Sequence, residues 1–520
     1  MPPVRRRTAV ALLLLPLLAG CFASPDGTAY DATGGSGVGG GDRLRVAMAF
    51  PPAESFSPYG ADATLLSRLG VTEGLTRLDG NGSASPALAE SWTREGSRGW
   101  LFTLREARFQ DGTAVTPKAV AGALNRAAHA DPVPAALSGV KLTAGPAGKR
   151  RVRLTTAAAY PALPLTLSSP SLAILSPKAY GSPKAHGSSK AHGSSEAHTE
   201  AAAPDPAGTA TGPFALDRSA GAARATLNRF DDYWGGLAHA SGIDARFIAD
   251  GTARTNALRT GEADIAEAVP VSQAATLDKP TVREVPTART TGLFLNNRSG
   301  PFADPKVRAA VREAVTPAVF ARGVYEGHAD PGQGVFGPAL SWAAGAHPAP
   351  AGRPAAARVK NTSITLGTYD NRPELPEAAQ AAQQQLEKAG FTVKLEVREY
   401  SRLESDALAG KFDAVVAARN TMLDTGDPVS YLASDFTCHG SYNLAGVCDK
   451  AVDRAVAEAD SRADSDERHS ASLDAQTAIL RTDAVVPLVH QRIIHGVGTS
   501  VRGVELDPYE RTLVGPGTHR

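Results

Sequence analysis

Residues 364–369 read ITLGTY, residues 391–398 read FTVKLEVR and residues 412–417 read FDAVVA, and two segments with helix punctuation separate them. In the middle run, Phe391, Val393, Leu395 and Val397 alternate with Thr392, Lys394, Glu396 and Arg398, the period of a half-buried strand. The outer runs are short and apolar, as buried strands are. Residues 373–389 predict a helix, with Pro376 near its start and Gly390 just past its end. Ser401 predicts the cap of a second helix through Ala409, stopped by Gly410. This β-α-β-α-β order implies parallel strands, right-handed crossovers and an α/β fold.

Ligands of parallel sheets bind beyond the carboxyl ends of the strands. Arg372 follows the first of these strands and Asp424 follows the third, so both project from one rim. A cation and an anion on one rim suit a small zwitterion, through charge-assisted hydrogen bonds. A plainer reading is equally open. Residues 424–428 read DTGDP, a turn in which Asp is common, and Arg372 also reads as a surface charge.

Outward from this unit, residues 44–48 (LRVAM) and 100–105 (WLFTLR) read as strands. Residues 109–113 (FQDGT) read as a turn, and Thr116-Pro117 opens a helix to Ala128. Helices are expected over 449–459 and 466–480, and a strand over 485–489. Residues 178–201 repeat with period six (KAYGSP, KAHGSS, KAHGSS, EAHTEA) and are too small and polar to form a core, so they predict a mobile surface insertion. His186, His192 and His198 raise a metal-binding reading, against which stands the lack of preorganisation in such a loop.

At the amino end, Arg5, Arg6 and Arg7 precede an apolar run from Ala9 to Ala19, too short for a membrane span and of signal-peptide length. The run ends in Leu18-Ala19-Gly20-Cys21, which resembles a bacterial lipobox; that implies lipidation of Cys21 and removal of residues 1–20. Residues 22–41 read as a flexible tether. The body is then expected outside the cell, at the outer face of the cytoplasmic membrane. The 520 residues carry 54 basic and 53 acidic side chains, a formal charge of +1 that becomes −2 once the three arginines leave. No basic excess points to nucleic acid. Cys438 and Cys448, ten positions apart in an oxidising compartment, predict a disulfide rather than two free thiols.

Enzyme signatures are missing: no His-Glu-x-x-His, no Gly-x-Ser-x-Gly, no Walker loop and no Gly-x-Gly-x-x-Gly joining a strand to a helix. No catalytic residue, metal site or cofactor is predicted.

A different set of short blocks runs through the chain. They include Glu73-Gly74-Leu75, Pro86-Ala87-Leu88-Ala89-Glu90-Ser91-Trp92, the segment 100–113, Gly212-Pro213-Phe214, Tyr233-Trp234, Arg259 to Asp264 and Pro301 to Arg308. In order and spacing they resemble the peptide/nickel-binding family (family 5) of extracytoplasmic solute-binding lipoproteins of ABC importers. The resemblance implies an α/β fold of two lobes, the type II periplasmic-binding-protein fold, with an extra inserted subdomain. It implies lobe I from residues 43–70, 171–287 (with an insertion at 178–207) and 485–520, a subdomain over 71–170, and lobe II over 288–484. Around the site, Asn371-Arg372-Pro373 and Asp424-x-x-Asp427-Pro428 are similar to segments of dipeptide-binding members. There the Arg holds the peptide carboxylate and the first Asp its amino group, so Arg372, Asp424 and Asp427 are the expected ligand-binding residues. Phe436-Thr437-Cys438 and Cys448 resemble a nearby disulfide loop. The implied function is capture of short peptides for an ABC permease and ATPase complex, by a monomer held at the membrane by its lipid. The alternatives are a nickel or metal-chelate binder of the same family, and a surface receptor or enzyme on this scaffold.

Overall fold

A computed structural model describes residues 42–181, 203–346, 350–370 and 372–520. The signal segment, Cys21, the tether and the three repeat histidines lie outside the described residues.

The three strands of the opening motif form as Thr362–Tyr369, Phe391–Arg398 and Ala414–Asn420, and the first pairs in parallel with the other two. Helix Glu374–Lys388 crosses between the first two, burying Leu375, Ala378, Ala379, Ala382 and Leu386 on one face. The second crossover differs from expectation at its cap. Helix Tyr400–Leu408 starts earlier, and the Glu399 carboxylate accepts the amides of Ser401 and Arg402 at 3.1 and 3.3 Å. Ser401 lies inside the first turn, because the Glu399 carboxylate, two residues earlier, already satisfies the first orphan amides.

This unit continues into one large sheet. From one edge its order is Phe391–Arg398, Thr362–Tyr369, Ala414–Asn420, Val282–Leu295, Val485–Val497, Ile265–Ala266, Arg43–Met48, Gly242–Phe247, Arg224–Arg229 and Phe214–Leu216, with Ala329–Pro331 paired on Val485–Val497. The two central strands have 14 and 13 residues, and at about 3.3 Å per residue each runs through both halves of the molecule. The sequence reading stops the last strand at residue 489 and omits 282–295. Pro286 and Pro487 explain this: each sits at a register shift, where a missing amide is tolerated.

One hydrophobic core gathers Leu44, Val46, Leu66, Phe214, Leu227, Ile243, Val497 and Leu513 into the first lobe. A second core fills the other lobe around Leu293, Leu366, Val416, Phe436 and Ile479. A third joins helix Pro117–Ala128 to the four-stranded sheet Ala89–Glu95, Gly99–Leu104, Arg151–Thr156 and Leu142–Pro146. Thr116 caps that helix, its hydroxyl accepting from Ala119 N at 3.2 Å. Several of the short sequence blocks prove to be clamps between this subdomain and the first lobe. Gln110 Nε2 donates to the carbonyls of Gly212 and Phe214 at 3.0 Å each. The half-buried Glu73 carboxylate accepts from Tyr233 Oη at 2.8 Å and Trp234 Nε1 at 3.0 Å.

The start of the period-six repeat also departs from expectation. Pro177–Tyr180 is a short 3-10 turn with Ala179 buried, capped by Ser176 and packed under Arg126. Pro177 at its first position and the neighbouring Asp111, which takes the Ser176 hydroxyl at 2.7 Å, fix it to the body.

Candidate functional site

The parallel pairing puts the carboxyl ends of Thr362–Tyr369 and Ala414–Asn420 on the same side, so Arg372 and Asp424 leave the sheet in one direction. Their surroundings differ. Arg372 is half-buried, its guanidinium 5.9 Å from the Phe50 ring centre. The positive charge of Arg289 and then burial lower its pKa, while Glu510 opposes them. Among the described residues it makes no ion pair. Asp424 is exposed and likewise has no ion pair among the described residues. Asp427 is placed quite differently. It is buried, caps helix Pro428–Phe436 through Val429 N at 3.1 Å, and meets buried Arg468 through both oxygens at 2.8 and 2.6 Å. Its carboxylate is committed to holding the turn that carries Asp424.

Around Arg372 the structure adds charges the sequence reading did not single out. Arg289, on the central strand Val282–Leu295, holds Glu510 through Nε and Nη2 at 3.0 Å each. Asn420 Nδ2 donates to the same carboxylate at 2.9 Å, and Arg68 Nη2 lies 3.5 Å away. Arg68 Nη1 meets Glu267 at 2.8 Å. Burial pushes the Glu510 carboxyl up, but Arg289, Arg68 and Arg372 outweigh it and hold it at about 2. His495, beside them, is pushed down to about 4 by burial. A cavity of about 20 Å³, room for one water, is lined by Phe50, Arg68, Glu267, Arg372, His495 and Glu510. Buried Asp62 fixes the loop that follows Phe50, accepting the amides of Ala53, Glu54 and Phe56 at 2.8 Å each. No local pattern marks these residues, since residues 68, 267, 289 and 510 meet only through the fold.

On the other side, Arg511 Nη2 donates to the carbonyls of Met422 and Leu423 at 2.7 and 2.8 Å, and Nη1 to Ser168 O and Oγ at 3.0 and 2.8 Å. The carboxyl-terminal loop thereby ties the subdomain to the segment that presents Asp424. Burial lowers the Arg511 pKa to about 10, with Asp507 and Asp424 opposing. Close by, Arg419 pairs with buried Asp435 at 2.7 Å and stacks 3.9 Å from the Tyr442 ring. Tyr442 belongs to the loop closed by the Cys438–Cys448 disulfide. Among the described residues no group of three or more His, Cys, Asp or Glu side chains is placed to hold a metal ion.

The description "Bacterial extracellular solute-binding proteins, family 5 Middle" matches residues 83–443. The chain belongs to that family. It is the extracytoplasmic solute-binding component of an ABC importer, a binding protein rather than an enzyme. The glutathione-binding protein GsiB of Salmonella typhi is 26% identical over 483 residues, covering 87% of this chain and 90% of the relative. The structure of NikA from Staphylococcus aureus with Ni(L-His)2 superposes with a TM-score of 0.72 at 21% identity, covering 92% of this chain and all of that one. A dipeptide-binding protein from Pseudoalteromonas sp. SM9913 with Met-Leu gives 0.73 at 17% identity, covering 91% and 99%. These likenesses establish the two-lobed α/β fold of type II periplasmic binding proteins.

Proposed function

We propose that this protein captures short peptides outside the cell and delivers them to the permease and ATPase of its importer. Arg372 receives the peptide carboxylate and Asp424 its ammonium, while Asp427 positions Asp424. The observation that carries this reading is a cation and an anion, each without an ion pair among the described residues, at the carboxyl ends of neighbouring parallel strands, while Arg289 and Asp427 nearby are held by Glu510 and Arg468. The names of the GsiB and dipeptide-binding relatives, one a glutathione binder and one holding Met-Leu, favour the same ligand class. We further assign Cys21 as the lipid anchor and the monomer as the working unit.

The test is mass spectrometry of ligand released from purified protein, followed by calorimetry with Ala-Ala, N-acetyl-Ala-Ala and Ala-Ala-amide. The free dipeptide is expected to bind and each blocked form to bind more weakly. A released ligand that is not a peptide, together with no binding of Ala-Ala, removes the assignment. Palmitate labelling lost in Cys21→Ala checks the anchor.

A further inference from the structure

Glu510 stands where the backbone favours glycine. Its φ is +62°, in the left-handed region, which is strained for a residue with a side chain. Its side chain is buried, and it brings a carboxylate into the cavity that Arg372 also lines. The partners there are specific. Arg289 is satisfied by Glu510 at 3.0 Å, and Arg68 by Glu267 at 2.8 Å. Asp507 accepts the amides of Tyr509, Arg511 and Thr512 at 2.9, 2.6 and 3.0 Å. Arg372 has no ion pair among the described residues.

We propose that Glu510 sets the charge of the ligand this cleft accepts: one carboxylate at the Arg372 end, and no second one beside it. This rests on the peptide reading above and adds a specificity to it. Without Glu510, Arg289 and Arg372 together offer two guanidinium groups and suit a dicarboxylate. With Glu510 in place, Arg289 is already neutralised, and a second ligand carboxylate meets a fixed negative charge in a poorly hydrated space. Specificity of this kind comes from a built-in repulsion as much as from a favourable contact. Peptides with a neutral carboxyl-terminal side chain are accepted, and those ending in Asp or Glu are turned away.

Calorimetry with Ala-Ala, Ala-Gln and Ala-Glu tests this in the wild-type protein and in Glu510→Gln and Glu510→Gly. Gln and Glu have nearly the same shape, so their comparison isolates the charge. The wild type is expected to bind Ala-Gln about tenfold or more tightly than Ala-Glu, since like charges brought together cost several kcal/mol. Both variants are expected to narrow or reverse that ratio, because Arg289 becomes available. Equal wild-type affinities for Ala-Gln and Ala-Glu overturn the proposal with no variant needed, and leave the peptide reading intact. An unchanged ratio in a folded variant overturns it too. If the wild type binds none of the three, the peptide reading falls and this inference with it.

Discussion

Arg468 meets Asp427 through Nε at 2.8 Å and Nη2 at 2.6 Å, with both side chains only 2% exposed. Removing Asp427 leaves Arg468 with one exposed counterion, Asp460 at 2.9 Å, and three carbonyl acceptors, so the loss is partly compensated and costs about 1–3 kcal/mol. Asp427→Ala is expected to lose stability of that size in urea unfolding. A variant as stable as the wild type would show that Asp460 alone compensates Arg468.

Asp424, three residues earlier, behaves differently. It is exposed and without an ion pair among the described residues, so Asp424→Ala is expected to leave the unfolding free energy within about 0.5 kcal/mol of wild type. Its effect belongs to binding, where loss of one partner of an ion pair desolvated by the ligand costs about 2–5 kcal/mol. Calorimetry and a urea titration on the same variant separate the two. Unchanged peptide affinity would remove Asp424 from the site.

Acid should destabilise the fold in two stages. His495 is held at about 4 against an ordinary 6.5, so below pH 6.5 the unfolded chain takes up a proton that the folded one refuses. Stability then falls between about pH 6.5 and 4. Glu510 is held at about 2 against 4.5, so its contribution is present above pH 4.5 and lost as pH falls through 2. Each shift corresponds to something on the order of 3 kcal/mol. Unfolding free energies measured from pH 7 downward should show both stages, and Glu510→Gln should flatten the lower one. An identical slope below pH 4.5 in that variant contradicts the assignment.

The disulfide between Cys438 and Cys448 closes a loop of ten positions, and such a link stabilises by about 3 kcal/mol in the chain-entropy account. Reductant should lower the urea midpoint of the wild type. The Cys438→Ser/Cys448→Ser double variant should match the reduced wild type and ignore reductant. A midpoint insensitive to reductant in the wild type, with its thiols shown to be free, would contradict the expected stabilisation.

Much of the architecture was legible because it rests on local signals. Helix Glu374–Lys388 shows its apolar face and its terminal Gly390 in the chain itself, and the alternation of 391–398 needs no partner to be seen. The strand Val282–Leu295 was not legible: Pro286 interrupts it, and burial of both faces over 290–295 erases the alternation there. At the site, the order of strands pointed to Arg372 and Asp424. The same turn hid the difference between Asp424 and Asp427, because whether a carboxylate is free depends on Arg468, some forty positions away.

The sequence by itself determined the α/β class, the family blocks, the pair of cysteines and the two charges at the strand ends, since each is written within a short segment. Only the tertiary structure decided which charges remain available. Arg289 and Glu510 are more than two hundred positions apart, and they cancel because the central strand and the carboxyl-terminal loop bring them to 3.0 Å. Charge pairing depends on distance in space and on the exclusion of water, and neither is a property of sequence order.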